Sequence, residues 1–199
     1  MIGIIDYGAG NLHSVLKAID RLDYQTKLIT NPEDHDEAIT KLILPGVGNA
    51  KVAMNVLNES GLTTYMKEAV AKGIPLLGIC LGMQLLLETS EEGDVECLGL
   101  IKGSVPLFKE KVEKVPHMGW NQVQDVQNHF LFQHIPQQTD FYFVHSFYAN
   151  PTEQKDVLGV TNYGLDFASV IGNEQVMGVQ FHPEKSGKYG IQLLDNYCK

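Results

Sequence analysis

In the first half of the chain, short apolar runs alternate with stretches whose apolar positions recur every three or four residues. The runs at 2–5, 27–30, 41–44 and 75–79 predict buried strands. Between them, Leu12, Val15, Leu16, Ile19 and Leu22 recur at helical spacing, which predicts a helix over 11–22. Further helices are predicted over 52–58 and 62–72, with Gly61 and Gly73 as their breaks, and another over 81–89. The second half changes character. Residues 105–108, 122–126, 141–144, 157–161, 167–171 and 176–180 are rich in β-branched and aromatic side chains and predict strands. A last helix is predicted from 186 to about 197. βα units followed by a mostly β half imply an α/β layered fold with a mixed central sheet and a small antiparallel extension.

Length and composition narrow this picture. With 199 residues, 44% hydrophobic and 20% charged, one domain over 1–199 with a sizeable core is expected. The net charge of −9 leaves no basic footprint for nucleic acid. No apolar run has bilayer length, and the N-terminus MIGIIDYGAG lacks the basic region of a signal peptide. Three cysteines, Cys80, Cys97 and Cys198, show no metal-ligand spacing and fit a reducing, cytoplasmic setting. No metal or cofactor is expected.

The chemistry concentrates in three stretches. In LLGICLGM (76–83) a strand leads into Cys80 and a helix follows, with Gly78 and Gly82 two places to either side. This G-x-C-x-G pattern is the thiol version of a nucleophile elbow, whose crowded backbone excludes side chains at the flanking positions. Free N–H groups at the start of the helix favour a thiolate and can hold an oxyanion. The alternative is a small buried cysteine in a helix–sheet contact. In GVQFHPEKSG (178–187), His182 ends a strand and Glu184 lies two places on. Side chains i and i+2 share a face in extended backbone, so Glu184 can orient His182 as a base for Cys80. In ILPGVGNA (43–50), the Gly-rich turn can bring backbone N–H groups to the same place, or be an ordinary strand-to-helix turn. Neither GAGNLH nor GVGNAK completes a dinucleotide fingerprint.

In this order, PGVG, GICLGMQ and FHPEKS resemble the class I glutamine amidotransferases. VPHMGWN (115–121), FYFVHSFY (141–148) and DYGAGNLHSV (6–15) resemble one branch of that family, the glutaminase subunits of imidazole glycerol phosphate synthases. The resemblance covers essentially the whole chain. It implies a three-layer, flavodoxin-like fold and a Cys80–His182–Glu184 triad that hydrolyses the side-chain amide of glutamine. It also implies an oxyanion hole from the N–H groups of Leu81 and, after a backbone reorientation, Val47. Gly48, Gln84, Ser146 and Phe147 would hold the substrate. Phe147 departs from the tyrosine usual in the family. The ammonia would pass to a (β/α)8-barrel cyclase subunit, and Asn11, Met118, Trp120, Tyr142 and Lys185 would face that partner. For Trp120 and Tyr142 core packing is the plainer alternative, and for Lys185 a solvated turn. The small subunits of anthranilate or pyridoxal phosphate synthase, a non-catalytic regulatory subunit, and a cysteine peptidase or thiol-stress protein are the competing functions. The PHMGWN and YFVHS stretches argue against the other synthases, the intact Cys80, His182 and Glu184 against a non-catalytic subunit, and Gln84 with the HPE context against a peptidase or thiol-stress protein. Of the other histidines, His145 is expected to be structural, His117 to lie in a loop, and His13, His35, His129 and His134 to be surface or packing positions.

Overall fold

A computed structural model describes residues 1–8, 10–109 and 114–199. In chain order its strands are β1 (Ile2–Ile5), β2 (Thr26–Ile29), β3 (Lys41–Leu44), β4 (Leu76–Ile79), β5 (Thr89–Ser90), β6 (Val95–Glu96) and β7 (Gly103–Val105). They continue with β8 (His117–Asp125), β9 (Thr139–His145), β10 (Asn150–Pro151), β11 (Val157–Asn162), β12 (Asp166–Gly172) and β13 (Val176–Val179). The α-helices are α1 (Leu12–Asp20), α2 (Ala50–Glu59), α3 (Leu62–Ala71), α4 (Leu81–Gln84) and α5 (Gly187–Cys198).

Nine strands form the main sheet in the order β2-β1-β3-β4-β13-β12-β11-β8-β9. The first five are parallel and the rest antiparallel. The smaller sheet has the order β10-β7-β5-β6, antiparallel but for the β5–β7 pair. Strand residues alternate between two apolar layers, as the two-residue period requires. Leu42, Leu44 and Leu76 join Met54, Leu57 and Met66 of α2 and α3 on one face. Ile43, Leu77 and Ile79 join Val15 and Ile19 of α1 and Leu193 and Leu194 of α5 on the other. Strands β1, β3, β4 and β13 are buried on both faces, hence their continuous apolar runs, whereas the edge strand β2 is buried only at Ile29. No helix among the described residues is long and apolar enough to cross a membrane.

Two expected elements differ. The helix after Cys80 stops at Gln84 instead of 89. The carbonyls of Leu85, Leu86 and Leu87 accept from the N–H groups of Leu98, Leu100 and Gly99, so they are taken by a neighbouring segment and not by the next helical turn. Strand β8 starts at His117, five residues before the predicted 122, because residues 117–123 pair with β9 in unbroken antiparallel register. His117 is therefore a buried strand residue and not part of a loop. Smaller shifts follow local chemistry. Helix α2 begins at Ala50 because the Asn49 side chain caps it, accepting from Val52 N.

Candidate active site

Adjacent parallel strands β4 and β13 end side by side, with Val179 opposite Ile79. Cys80 and the turn to His182 therefore emerge at the same edge of the sheet. Cys80 has φ +54° and ψ −109°, a backbone conformation costly for a side-chain-bearing residue. The glycines make it possible. A Cβ on Gly78 would lie 2.5 Å from the Gly82 carbonyl oxygen, and one on Gly82 would collide with the Leu44 carbonyl. The elbow is thus wedged against β3, and the thiol is only 6% exposed.

His182 Nδ1 lies 2.8 Å from Glu184 Oε1 and donates to it, which leaves Nε2 for Cys80. The Glu184 side chain is fully buried and also accepts from Asn11 Nδ2 at 3.2 Å. Backbone bonds fix the imidazole's position. His182 N donates to the Tyr142 carbonyl at 2.9 Å, and the Ser186 hydroxyl donates to the His182 carbonyl at 2.6 Å. Burial alone would depress the His182 pKa. Hydrogen bonds and charge from Cys80 and Glu184 outweigh it and raise the value to about 10. This arrangement keeps the His182 ring charged beside Cys80. Burial raises the thiols of Cys97 to about 11 and Cys198 to about 12, and both stay protonated.

A cavity of about 340 Å³ opens over Cys80. It is lined by Val47, Gly48, Leu81, Gln84, Ser146, Phe147, His182 and Lys185, all of them site residues expected from the sequence. The cavity also receives Glu92, Pro116, Val144 and His145, which the sequence did not mark as site residues. Glu92 lies in the acidic stretch EEGD (91–94), where a solvated carboxylate would be ordinary. Its carboxylate instead accepts from Ala50 N at 2.8 Å, and burial raises its pKa.

The cavity wall at His145 is built on a directed chain of hydrogen bonds. His145 Nδ1 donates to the Phe147 carbonyl at 2.7 Å. Its Nε2 must then accept, and it lies 2.8 Å from His117 Nδ1. His117 Nε2 in turn lies 3.2 Å from Asn121 Nδ2. Burial keeps both rings neutral, lowering the His117 pKa to about 4 and that of His145 to about 3. The Phe147 carbonyl also accepts from Gln84 Nε2 at 2.9 Å, and Gln84 Nε2 reaches Gln180 Oε1 at 3.1 Å. At position 147 the backbone oxygen is what engages the site.

The oxyanion side is different. Leu81 N donates to the Gly46 carbonyl at 3.3 Å, so in this conformation that N–H is occupied. Gly48 follows with φ +107° and open space around its Cβ direction.

Of the residues expected to face a partner, Met118 and Trp120 are 62% and 58% exposed. Tyr142 pairs with Trp120 across β8–β9, their rings edge to face at 6.0 Å. Trp120 therefore lies outside the core. Lys185 is exposed at the cavity. Asn11 does not belong with them. It is buried at 4% exposure, and its amide is turned to Glu184, so its contact is with the triad and not with the surface.

The sequence profile of the family described as glutamine amidotransferase class-I matches residues 3–198. An imidazole glycerol phosphate synthase subunit HisH of Methanocaldococcus jannaschii is 50% identical over 200 residues, covering 100% of this chain and 99% of the relative. The HisH subunit of Dehalococcoides mccartyi strain 195 is 47% identical over 100% of this chain and 97% of its own length. Among solved structures, PurLQS from Thermotoga maritima superimposes with a TM-score of 0.78 at 16% identity, covering 100% of this chain and 98% of that one. A further crystal structure of a glutamine amidotransferase gives 0.77 at 18% identity, covering 100% and 99%.

Proposed function

Because the chain belongs to the class I glutamine amidotransferases, as a HisH-type glutaminase subunit, we propose that Cys80, His182 and Glu184 hydrolyse L-glutamine and that the ammonia is delivered to a cyclase subunit. The observation that carries this reading is the shared cavity. It brings a strained cysteine, its imidazolium and every expected substrate contact together.

The Cys80 thiolate attacks the γ-carboxamide carbon, and the carbonyl oxygen becomes an oxyanion. As the C–N bond breaks, His182 gives its proton to the leaving ammonia, and a γ-glutamyl thioester remains on Sγ. Water then loses a proton to His182 and attacks the thioester. Glutamate leaves, and the thiolate–imidazolium pair is restored. Glu184 holds the ring through Nδ1 in both halves. Glu92, the one carboxylate among the cavity's described lining residues, suits the substrate's α-ammonium. Gln84 and the Ser146–Phe147 backbone suit its other polar groups.

The oxyanion needs Leu81 N–H, which Gly46 now occupies. Rotation of the Gly46–Val47 peptide would release it and turn Val47 N–H inward, giving two donors. The flexible Gly48 next to it supports such a turn. The exposed apolar face of Met118, Trp120 and Tyr142 is where the cyclase would dock, with Lys185 at the cavity mouth. The cyclase would combine ammonia with its ribulosyl-aminoimidazole substrate to give imidazole glycerol phosphate and an aminoimidazole-carboxamide ribotide.

The test is glutamate release from glutamine, by the chain alone and then with the cyclase and its ribulosyl substrate. Release that is near zero alone and rises steeply in the mixture is expected. Release that is high alone and indifferent to the cyclase would overturn the partner assignment.

A further inference from the structure

Three buried side-chain atoms have no hydrogen-bond partner among the described residues: Asn11 Oδ1, Glu184 Oε2 and Tyr7 Oη. The first two lie behind the triad, where Asn11 meets Glu184. Tyr7 lies on the other side, at the oxyanion turn. A Cβ on Gly46 would come within 2.7 Å of Tyr7 Oη. From the same loop, Gly10 faces Val47, with 3.4 Å between its Cβ direction and Val47 Cγ2. The loop after β1 therefore touches both residues of the peptide that has to rotate.

A buried hydroxyl without a partner is unfavourable and calls for a cause. The rotation itself supplies one. At rest the Gly46 carbonyl accepts from Leu81 N–H. Once the peptide turns, that bond is gone and a buried carbonyl needs a new donor. Of the three unpaired atoms only Tyr7 Oη can donate, and it lies beside Gly46. Burial, with the Cys80 charge adding to it, pushes the Tyr7 phenol well above its ordinary range, so its proton stays in place.

We propose that Tyr7 is a positioning residue whose hydroxyl takes the Gly46 carbonyl in the turned conformation and so holds the oxyanion hole open. This rests on the glutaminase reading above. The hydroxyl is unsatisfied in the resting state and satisfied in the working one, which shifts the equilibrium towards work. Tyr7 touches no substrate atom and acts only through Gly46.

The test is Tyr7→Phe, which removes one oxygen. Glutamate release is measured against glutamine concentration in the complex with the cyclase and its ribulosyl substrate, and melting is measured on the same chain. The expected result is a kcat about three- to tenfold lower with KM for glutamine unchanged. The melting temperature stays the same or rises, because no resting-state bond is lost. A kcat equal to wild type overturns the proposal. A melting temperature several degrees lower does so too, since the hydroxyl would then have a partner at rest. Wild-type turnover in the same assay separates the two levels. A wild type that releases no glutamate removes the glutaminase reading and the Tyr7 role together, whereas an active wild type matched by Tyr7→Phe removes the Tyr7 role alone.

Discussion

The two sides of the cavity differ in how far their N–H and O–H donors are paired; on the histidine side only two acceptor oxygens, Asn11 Oδ1 and Glu184 Oε2, lack a partner among the described residues. On the histidine side, Nδ1 of His182 is held by Glu184, and the chain from Asn121 through His117 and His145 to the Phe147 carbonyl leaves each ring in one tautomer. On the proposed oxyanion side, the N–H of Leu81 is spent on Gly46, and the Tyr7 hydroxyl is buried without a partner among the described residues. The first side is built once and kept. The second is held in a conformation it has to leave. Pairing fixes geometry where a proton must move reliably, and incomplete pairing leaves room for control.

Glycine substitutions give the largest test of this contrast. Gly82→Ala drives a methyl group into the Leu44 carbonyl, a backbone atom that cannot step aside. It is expected to cost more than about 4 kcal/mol and to yield little folded protein. Gly48→Ala meets open space and suffers only from its φ of +107°, so a loss of about 1–3 kcal/mol is expected, read as a modest fall in melting temperature. Equal damage from both would mean that the oxyanion side is as rigid as the elbow.

Cys80→Ala comes next. Glutamate release should fall on the order of a thousandfold or more, while the fold and partner binding survive. The same change removes the hydrogen bond and charge that hold His182 near 10, so its NMR titration should move to lower pH. The folded value exceeds the ordinary 6.5, so this histidine stabilises the wild type fully below pH 6.5. The contribution is lost as pH climbs through about 10. A His182 that still titrates near 10 in Cys80→Ala would break the link between Cys80 and the raised His182 value.

The smallest effect concerns acid. His117 and His145 have folded values of about 4 and 3, below the ordinary 6.5. Below pH 6.5 the unfolded chain binds protons at these sites and the folded chain does not, so stability falls as pH drops towards 4. Urea unfolding across that range should show a shallower pH slope for His145→Asn than for wild type. An unchanged slope would mean that the ring is not held neutral by the fold.

Much of this was legible in the sequence, for identifiable reasons. Strands β1, β3, β4 and β13 are buried on both faces, so their apolar runs stand out. The elbow was legible because only glycine fits beside Cys80. The start of β8 was hidden because its pattern is inverted: polar His117 points inward while Met118 and Trp120 are exposed. The helix after Cys80 was overextended because Leu85, Leu86 and Leu87 are apolar on every side, and periodicity says nothing there. Glu92 sits in an acidic run whose inward carboxylate has no local signature. Tyr7 and Asn11 matter through partners 39 and 173 residues away, Gly46 and Glu184, which no local pattern records.

The sheet order also sets a timetable for synthesis. Strand β13 lies beside β4, and Val176 pairs with Leu76, one hundred residues earlier in the chain. A ribosome adding about 5–20 residues per second would make Cys80 several seconds before His182. During that interval β4 has an unpaired edge in the middle of the future sheet, open to wrong strands. The thiol meanwhile has neither His182 nor Glu184 beside it, so the nascent chain carries an open edge but no working triad.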